Sequence, residues 1–162
     1  TRDTQAVVKA SEVVKGASSD LDAVGEVYHF VIEHVTYDDK KAETVPSGYL
    51  PDVDETLSTG KGICFDYAAL MTAMLRSQDI PTKLVVGYTG NLYHAWINVY
   101  LEGQGWVDNV IYFDGNSWKL MDPTFASSSV YRSISRNRLI PISAAYTAPS
   151  SISELPQHWA VI

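Results

Sequence analysis

The spacing of apolar residues along the chain changes near residue 80, from a helical period to a period of two. Before that point it predicts helices over residues 4–17 and 20–36. A third helical pattern runs from Cys64 to Gln78 and is apolar around most of its circumference, which indicates a buried, central helix. The connection between the second and third helices, residues 37–62, is long and contains several glycines and prolines, as functional loops often do.

Beyond residue 80 the alternation predicts two strands, 83–89 and 94–101, joined by a turn at Gly90-Asn91. On the second strand every other residue is apolar and predicts a core face. His94 and Trp96 lie on the opposite face of that strand. We expect the helix that begins at Cys64 to cover this second face.

The rest of the chain is less regular. Extended segments are predicted over 106–113 and 117–121, and the hairpin sequence Asp114-Gly115 joins them. After Phe125 the chain is rich in serine and contains three prolines, which predicts an irregular tail that wraps over the domain.

The composition fits one globular domain over residues 1–162 and excludes several classes of function. With 162 residues and 46% hydrophobic residues, the chain can bury a sizeable core. A net charge of −7 offers no basic surface for nucleic acid or anionic lipid. No apolar run approaches the ~18 residues of a membrane span, and a single cysteine excludes an internal disulfide. Because the chain begins at Thr1, we expect a fragment or a processed form.

The only cysteine, Cys64, follows a glycine-rich turn and begins the third helical pattern. A thiol attacks as the thiolate, and the partial positive charge of a helix N-terminus favours that form. We therefore predict a reactive thiol with a pKa below the ~8.5 of a free cysteine. Gly60 and Gly62 would leave backbone N–H groups free to bind an oxyanion. The alternative is that Cys64 is a small buried hydrophobe.

His94 and Asp122 could complete a set of nucleophile, base and orienting carboxylate. His94 opens a predicted strand and could accept the thiol proton. Asp122 precedes Pro123 and ends another strand. Each also has an ordinary explanation, a core histidine satisfied by backbone groups or a solvated aspartate in a turn. Taken singly, the residues leave both explanations open.

Taken together, the segments around these residues resemble the transglutaminase-like superfamily. The motifs are Gly-Ile-Cys-x-Asp-Tyr-Ala, an apolar helix, Ile-Pro-x-x-x-Val-x-Gly-Tyr, His-Ala-Trp and Trp-x-x-x-Asp-Pro-Thr, in that order. They cover about residues 36–125 and leave the first helix and the tail without a clear counterpart.

The resemblance implies a papain-like α+β fold, in which a central helix carrying the cysteine packs on an antiparallel sheet carrying the other two residues. By that resemblance Cys64 is the nucleophile, His94 the base and Asp122 the orienter. The implied reaction is acyl transfer through a thioester, with hydrolysis of peptide or isopeptide amides favoured. A transamidating crosslinker stays open, as does a protein- or cell-wall-binding module that keeps the fold without the chemistry.

The resemblance also carries the expectations about partners and location. The expected partner is a protein or peptide, including a cell-wall peptide, in an extracellular or cell-envelope setting of a bacterium, and a cytoplasmic location stays open. We expect no nucleic acid, membrane insertion, metal or cofactor, and the oligomeric state is left open. Asp52-x-Asp54 is followed by Leu57 where a calcium loop needs glycine. His29 and His34 have the wrong spacing for a shared metal.

The triad geometry depends on the segment Trp106–Asn116, which separates the His94 strand from Asp122. If residues 106–113 formed a strand between the other two, Asp122 would lie more than ~20 Å from His94. The triad therefore requires the strand before Asp122 to pair directly with the His94 strand.

Three aromatic residues are candidates for secondary roles in the site. Tyr49 is the first candidate for a second oxyanion donor and Tyr37 the second, because no glutamine lies between Gln5 and Cys64. Trp96 is a candidate wall of the substrate groove, together with Trp106 and Trp118.

Overall fold

Helices form the first half of the described chain. The computed structural model describes residues 4–89, 92–113, 118–120 and 160–161. Its helices are α1 (Gln5–Val13), α2 (Asp20–His34), α3 (Asp39–Thr44), α4 (Val53–Thr59) and α5 (Cys64–Arg76). Helices α1, α2 and α5 confirm the three helices predicted from the apolar spacing. Among the described residues, no helix is both long enough and apolar enough to cross a membrane.

The connection before Cys64 is more structured than the pattern predicts, because it contains α3 and α4. Each of these helices begins after an aspartate that caps it. The Asp38 carboxylate accepts a hydrogen bond from the Lys41 backbone N–H at 3.0 Å. The Asp52 carboxylate accepts bonds from the N–H groups of Asp54 and Glu55, both at 3.0 Å. Helices this short have too few turns to show an apolar period, so the caps were the available signal.

A small parallel sheet ties the two ends of this connection together. Strand β1 (Thr36–Tyr37) pairs with β2 (Lys61–Gly62), and Tyr37 stands opposite Gly62. The Thr36 N–H donates to the Gly60 carbonyl at 2.8 Å. Tyr37 is thereby held beside the residues that lead into Cys64.

The larger sheet has five strands. They are β3 (Thr82–Thr89), β4 (Leu92–Leu101), β5 (Gly105–Phe113), β6 (Trp118–Leu120) and β7 (Ala160–Val161). Their order is β6-β5-β4-β3-β7, and every neighbouring pair is antiparallel. Strand β7 lies in the tail predicted to be irregular, so that prediction is wrong for Ala160 and Val161. The α+β class with an antiparallel sheet is confirmed.

Helix α5 packs on the sheet through the predicted core face of β4. The residues of that face and the inner residues of α5 share one buried core, which includes Ala95, Ile97, Val99, Leu101, Leu70, Met71, Met74 and Leu75. The expectation that α5 covers the His94 face is therefore wrong for the body of the helix, and only its first residue, Cys64, reaches the β4 backbone beside His94, through the Ala95 N–H. The apolar residues of α5 are buried against the apolar face of β4. Because side chains alternate along a strand, His94 lies on the opposite face.

Truncation of Leu75 tests whether α5 is central to stability. Its side chain is 0% exposed, and Met71 beside it is equally enclosed. We expect Leu75→Ala to lower the free energy of unfolding by about 2–5 kcal/mol, because it opens a cavity that the core cannot fill. Urea unfolding followed by circular dichroism measures the change, with Val8→Ala on the exposed surface as the control. A loss below about 0.5 kcal/mol would show that α5 is peripheral.

Candidate functional site

Cys64 is the first residue of α5, and the turn before it is held by Asp66. The Asp66 Oδ2 atom accepts a hydrogen bond from the Ile63 backbone N–H at 2.7 Å. Ile63 has no side-chain oxygen, so this bond is half of a capping box. A Cβ atom at Gly62 would come within 2.6 Å of the Asp66 Cβ atom. Position 62 therefore requires glycine because Asp66 packs closely against it. The predicted reason was different, namely that glycine would leave a backbone N–H group free.

The Cys64 thiol lies at the junction of α5 and β4. Burial raises the pKa of this thiol, and hydrogen bonds from the backbone N–H groups of Ala95 and Phe65 act in the opposite direction. The Ala95 N–H belongs to β4, and His94 immediately precedes it in the chain. The sulfur therefore contacts the backbone of β4 one residue after His94. Its raised pKa is opposite to the lowered value predicted from the helix N-terminus alone.

The direction of this shift gives a pH dependence for alkylation. A raised pKa means that less thiolate exists at any given pH, so Cys64 is mainly a neutral thiol at pH 7. We expect its alkylation by iodoacetamide to rise with pH through a midpoint at or above about 8.5. Mass spectrometry of the labelled protein measures the rate, with N-acetylcysteine as the reference thiol. A rate already at its plateau at pH 7 would instead indicate a resting thiolate paired with an imidazolium.

His94 is buried, with 3% of its surface exposed. Its strand position is fixed by pairing with Gly87 of β3. His94 directly precedes Ala95, whose N–H bonds the Cys64 thiol. The closeness of the imidazole to the Cys64 sulfur stays a prediction.

The strand order bears directly on Asp122. Strand β5 lies between β4 and β6, so the direct pairing that the triad was expected to require is not formed by Trp118–Leu120. Ile111 of β5 pairs with Ile97 on one side and with Leu120 on the other. Since β4 and β6 are both antiparallel to β5, the chain leaves Leu120 in the direction away from His94. Asp122 itself lies outside the described residues, and its role stays a prediction.

The two tyrosines predicted as oxyanion donors lie in different surroundings. The Tyr49 hydroxyl donates to Asp66 Oδ1 at 2.5 Å, so it is committed to the capping carboxylate. The pKa of Tyr37 is raised, first by burial and then by the charge of Cys64. Whether either hydroxyl serves as an oxyanion donor stays a prediction.

The two candidate tryptophans with described side chains, Trp96 and Trp106, are not placed as groove walls. Trp96 is 4% exposed and offers little surface to a substrate. Trp106 stands opposite Tyr100, at the end of β4 remote from His94. Its ring lies under the Lys83 ammonium, with Nζ 3.7 Å from the ring centroid. The side chain of Trp118 lies outside the described part of the chain.

Lys41 and Asp66 are the site residues that the sequence analysis missed. Asp66 is 0% exposed, and its Oδ2 atom lies 2.8 Å from the Lys41 ammonium. The spacing Cys-x-Asp, which puts a carboxylate at the third position of the helix, was the signal for Asp66. Within the described ranges, no group of three or more His, Cys, Asp and Glu side chains is arranged to hold a metal ion.

Sequence comparisons agree with this geometry. A model of the Transglutaminase-like superfamily matches residues 8–123, a range that includes α2 and most of α1. The motifs had left α1 without a counterpart. The kyphoscoliosis peptidase of Mus musculus is 29% identical over an alignment of 132 residues, and the match covers 74% of this chain and 18% of that protein. The chain therefore spans about a fifth of that relative's length.

Solved structures share the fold. A provisionally assigned cysteine protease from Cytophaga hutchinsonii superposes with a TM-score of 0.53 at 23% identity, over 70% of this chain and 38% of that one. The periplasmic domain of TgpA from Pseudomonas aeruginosa gives a TM-score of 0.53 at 24% identity, over 64% of this chain and 40% of its own. At these identities the likeness establishes the fold.

Proposed function

This chain belongs to the transglutaminase-like superfamily, and from that premise we propose that it is a cysteine-dependent hydrolase of peptide or isopeptide bonds. One observation carries the proposal. The only thiol of the chain lies at the head of a buried helix and accepts a hydrogen bond from the N–H of Ala95, the residue after His94. This bond supports a nucleophile and a base that act together from two separate elements.

In the proposed reaction His94 takes the Cys64 proton as the sulfur attacks the substrate carbonyl carbon. The carbonyl π bond opens to an oxyanion, and the Cys64 N–H at the start of α5 is directed to bind it, with the Tyr37 hydroxyl as the second donor. The C–N bond then breaks, and His94 returns the proton to the departing amine. Water, deprotonated by His94, attacks the thioester and releases the acid and the thiol.

A neutral resting thiol suits this mechanism because proton transfer to His94 then accompanies the attack. The raised pKa of Cys64 argues for such general-base activation over a stable thiolate. We assign Asp122 as the orienter of His94 from the family motif. That assignment requires the chain to turn back toward His94 after Leu120.

The substrate class follows from the relatives. The kyphoscoliosis protein is named a peptidase, which supports a protein or peptide substrate for this chain. A neighbour that is a periplasmic domain supports a cell-envelope setting. Cell-wall peptides are included in the proposal on that ground.

Hydrolysis is proposed over transamidation because the kyphoscoliosis relative is named a peptidase, and because Trp96 and Trp106 are not placed to wall an acceptor tunnel. A crosslinker has to keep water from its thioester while admitting an amine. Of the tryptophans offered as walls, Trp96 is buried and Trp106 lies remote from His94. Water should then reach the acyl-enzyme first.

The partition of the thioester between water and amine tests this choice. With p-nitrophenyl acetate as acyl donor and dansylcadaverine as amine, we expect acid to exceed amide at millimolar amine, the range of a typical KM. Chromatography separates the two products. Amide in excess would assign a crosslinker. If neither product forms and Cys64→Ala binds a peptide or glycan as tightly as the parent, the fold serves as a binding module.

A further inference from the structure

The carboxylate of Asp66 joins three segments at the head of α5. Its Oδ2 atom binds the Ile63 N–H and the Lys41 ammonium, at 2.7 and 2.8 Å. Its Oδ1 atom accepts from the Tyr49 hydroxyl at 2.5 Å. Lys41 belongs to α3 and Tyr49 to the loop before α4, so the carboxylate fastens both to the turn that carries Cys64.

We propose that Lys41 is a positioning residue for Cys64: through its ion pair with Asp66 it anchors α3 to the cysteine turn and neutralises the buried negative charge beside the thiol. This inference rests on the proposed function of Cys64 as nucleophile. Lys41 touches neither the sulfur nor the substrate in this arrangement. It acts on the reaction through the charge and place of Asp66.

Burial makes the ion pair necessary. Asp66 is 0% exposed, and an ionised carboxylate in such a place is strongly destabilising without a charged partner. The Lys41 side chain is 27% exposed and reaches in from the surface, with its ammonium 4.6 Å from the centroid of the Tyr49 ring. The pair is thus formed by a surface cation and a core anion.

The charge of Asp66 also bears on the thiol. After burial, the Asp66 carboxylate is among the groups that raise the pKa of Cys64, because a negative charge nearby opposes formation of the thiolate. The other titratable groups at this place are Tyr37 on β1, Asp39 on α3 and Tyr49 in the loop before α4. Lys41 is the cation in direct contact with Asp66, so its removal leaves that charge without its partner.

Neighbouring lysines of α3 provide a matched comparison. Lys41→Met removes the ammonium and keeps the length of the chain, while Lys40→Met makes the same change at the exposed neighbour. We expect Lys41→Met to raise the pH midpoint of Cys64 alkylation by roughly 0.5–1 unit, and Lys40→Met to leave it unchanged. Lys41→Arg should restore the parent midpoint, and Asp66→Asn added to Lys41→Met should bring it back to or below that value.

A purely structural role would lower the melting temperature of Lys41→Met without moving its midpoint, and that result overturns the proposal. If Lys41→Met does not fold, Tyr49→Phe takes its place. It removes one donor from the same carboxylate and keeps the ring against Phe65, whose centroid is 6.3 Å away. Its midpoint should rise by less, and an unchanged midpoint contradicts the inference.

The alkylation readout separates this inference from the proposed function. Iodoacetamide reports ionisation of Cys64 whether or not the protein turns over a substrate. If the midpoints shift as expected while the parent forms no thioester, the proposed hydrolase is wrong and the role of Lys41 stands. If the parent forms a thioester while the midpoints stay equal, the proposed hydrolase stands and the role of Lys41 is wrong.

Discussion

Replacing Cys64 with alanine should reduce hydrolysis of a peptide substrate by about 10⁴-fold or more, since this is the only thiol in the chain. No other side chain can form the thioester. The loss should lie in kcat, because peptide binding does not depend on the sulfur. Release of fluorescent peptides from labelled casein measures the rate.

The fold of this variant should be retained, because alanine is a good helix former and the cysteine is only partly buried. Circular dichroism and thermal melting check that point. Cys64→Ser is the matched companion: it keeps a polar atom at the position but ionises far less readily than a thiol, so it should also be inactive. Retention of more than about a tenth of the parent rate by either variant would remove Cys64 from the chemistry.

Replacing His94 with glutamine should lower kcat by about 10²–10⁴-fold, the range of a lost general base. Glutamine is near in size to histidine and can hydrogen-bond, which limits the damage to a residue only 3% exposed. Because the resting thiol is neutral, the variant should regain part of its rate as the pH rises and thiolate forms without a base. The parent should show no such gain above its own optimum.

Asn98→Ala is the control for this prediction. Asn98 lies on the same strand face as His94, and its Nδ2 atom donates to Asp108 Oδ1 at 2.7 Å near the opposite end of the strand. The change should leave kcat within about twofold of the parent. If His94→Gln behaves like Asn98→Ala, the base lies elsewhere.

The sequence predicts correctly those helices and strands whose burial pattern is set by their own residues. Cys64–Arg76 is apolar around most of its circumference, which predicts a central helix. Apolar residues alternate over β3 and β4, which predicts strands, because successive side chains of a strand point to opposite faces. The order of the motifs also predicts the family that the comparison with residues 8–123 supports.

Features that depend on contacts distant in sequence were not predicted. Alternation predicts an extended segment over 106–113 but not which strand lies beside it, so the position of β5 between β4 and β6 could be weighed but not decided. The ion pair of Lys41 and Asp66 joins a six-residue helix to the start of α5, and nothing in either segment alone indicates the other.

The upward shift of the Cys64 pKa also depends on contacts distant in sequence. The helix N-terminus is a local property, and it alone favours the thiolate. Partial burial at the junction of α5 and β4 is a property of the whole fold, and it outweighs the local effect. Reactivity of such a thiol therefore depends on the base that the fold brings to it, here proposed to be His94.

Trapping the acyl-enzyme tests the central claim most directly. The parent and Cys64→Ala are mixed with p-nitrophenyl acetate, quenched in acid within the first turnover, and analysed by intact mass and by peptide mapping. We predict one acetyl group on the peptide that contains Cys64, removable by neutral hydroxylamine as a thioester is, and none on the alanine variant. Turnover of the ester by the parent with no adduct on Cys64, or with the same adduct on both proteins, would contradict the account.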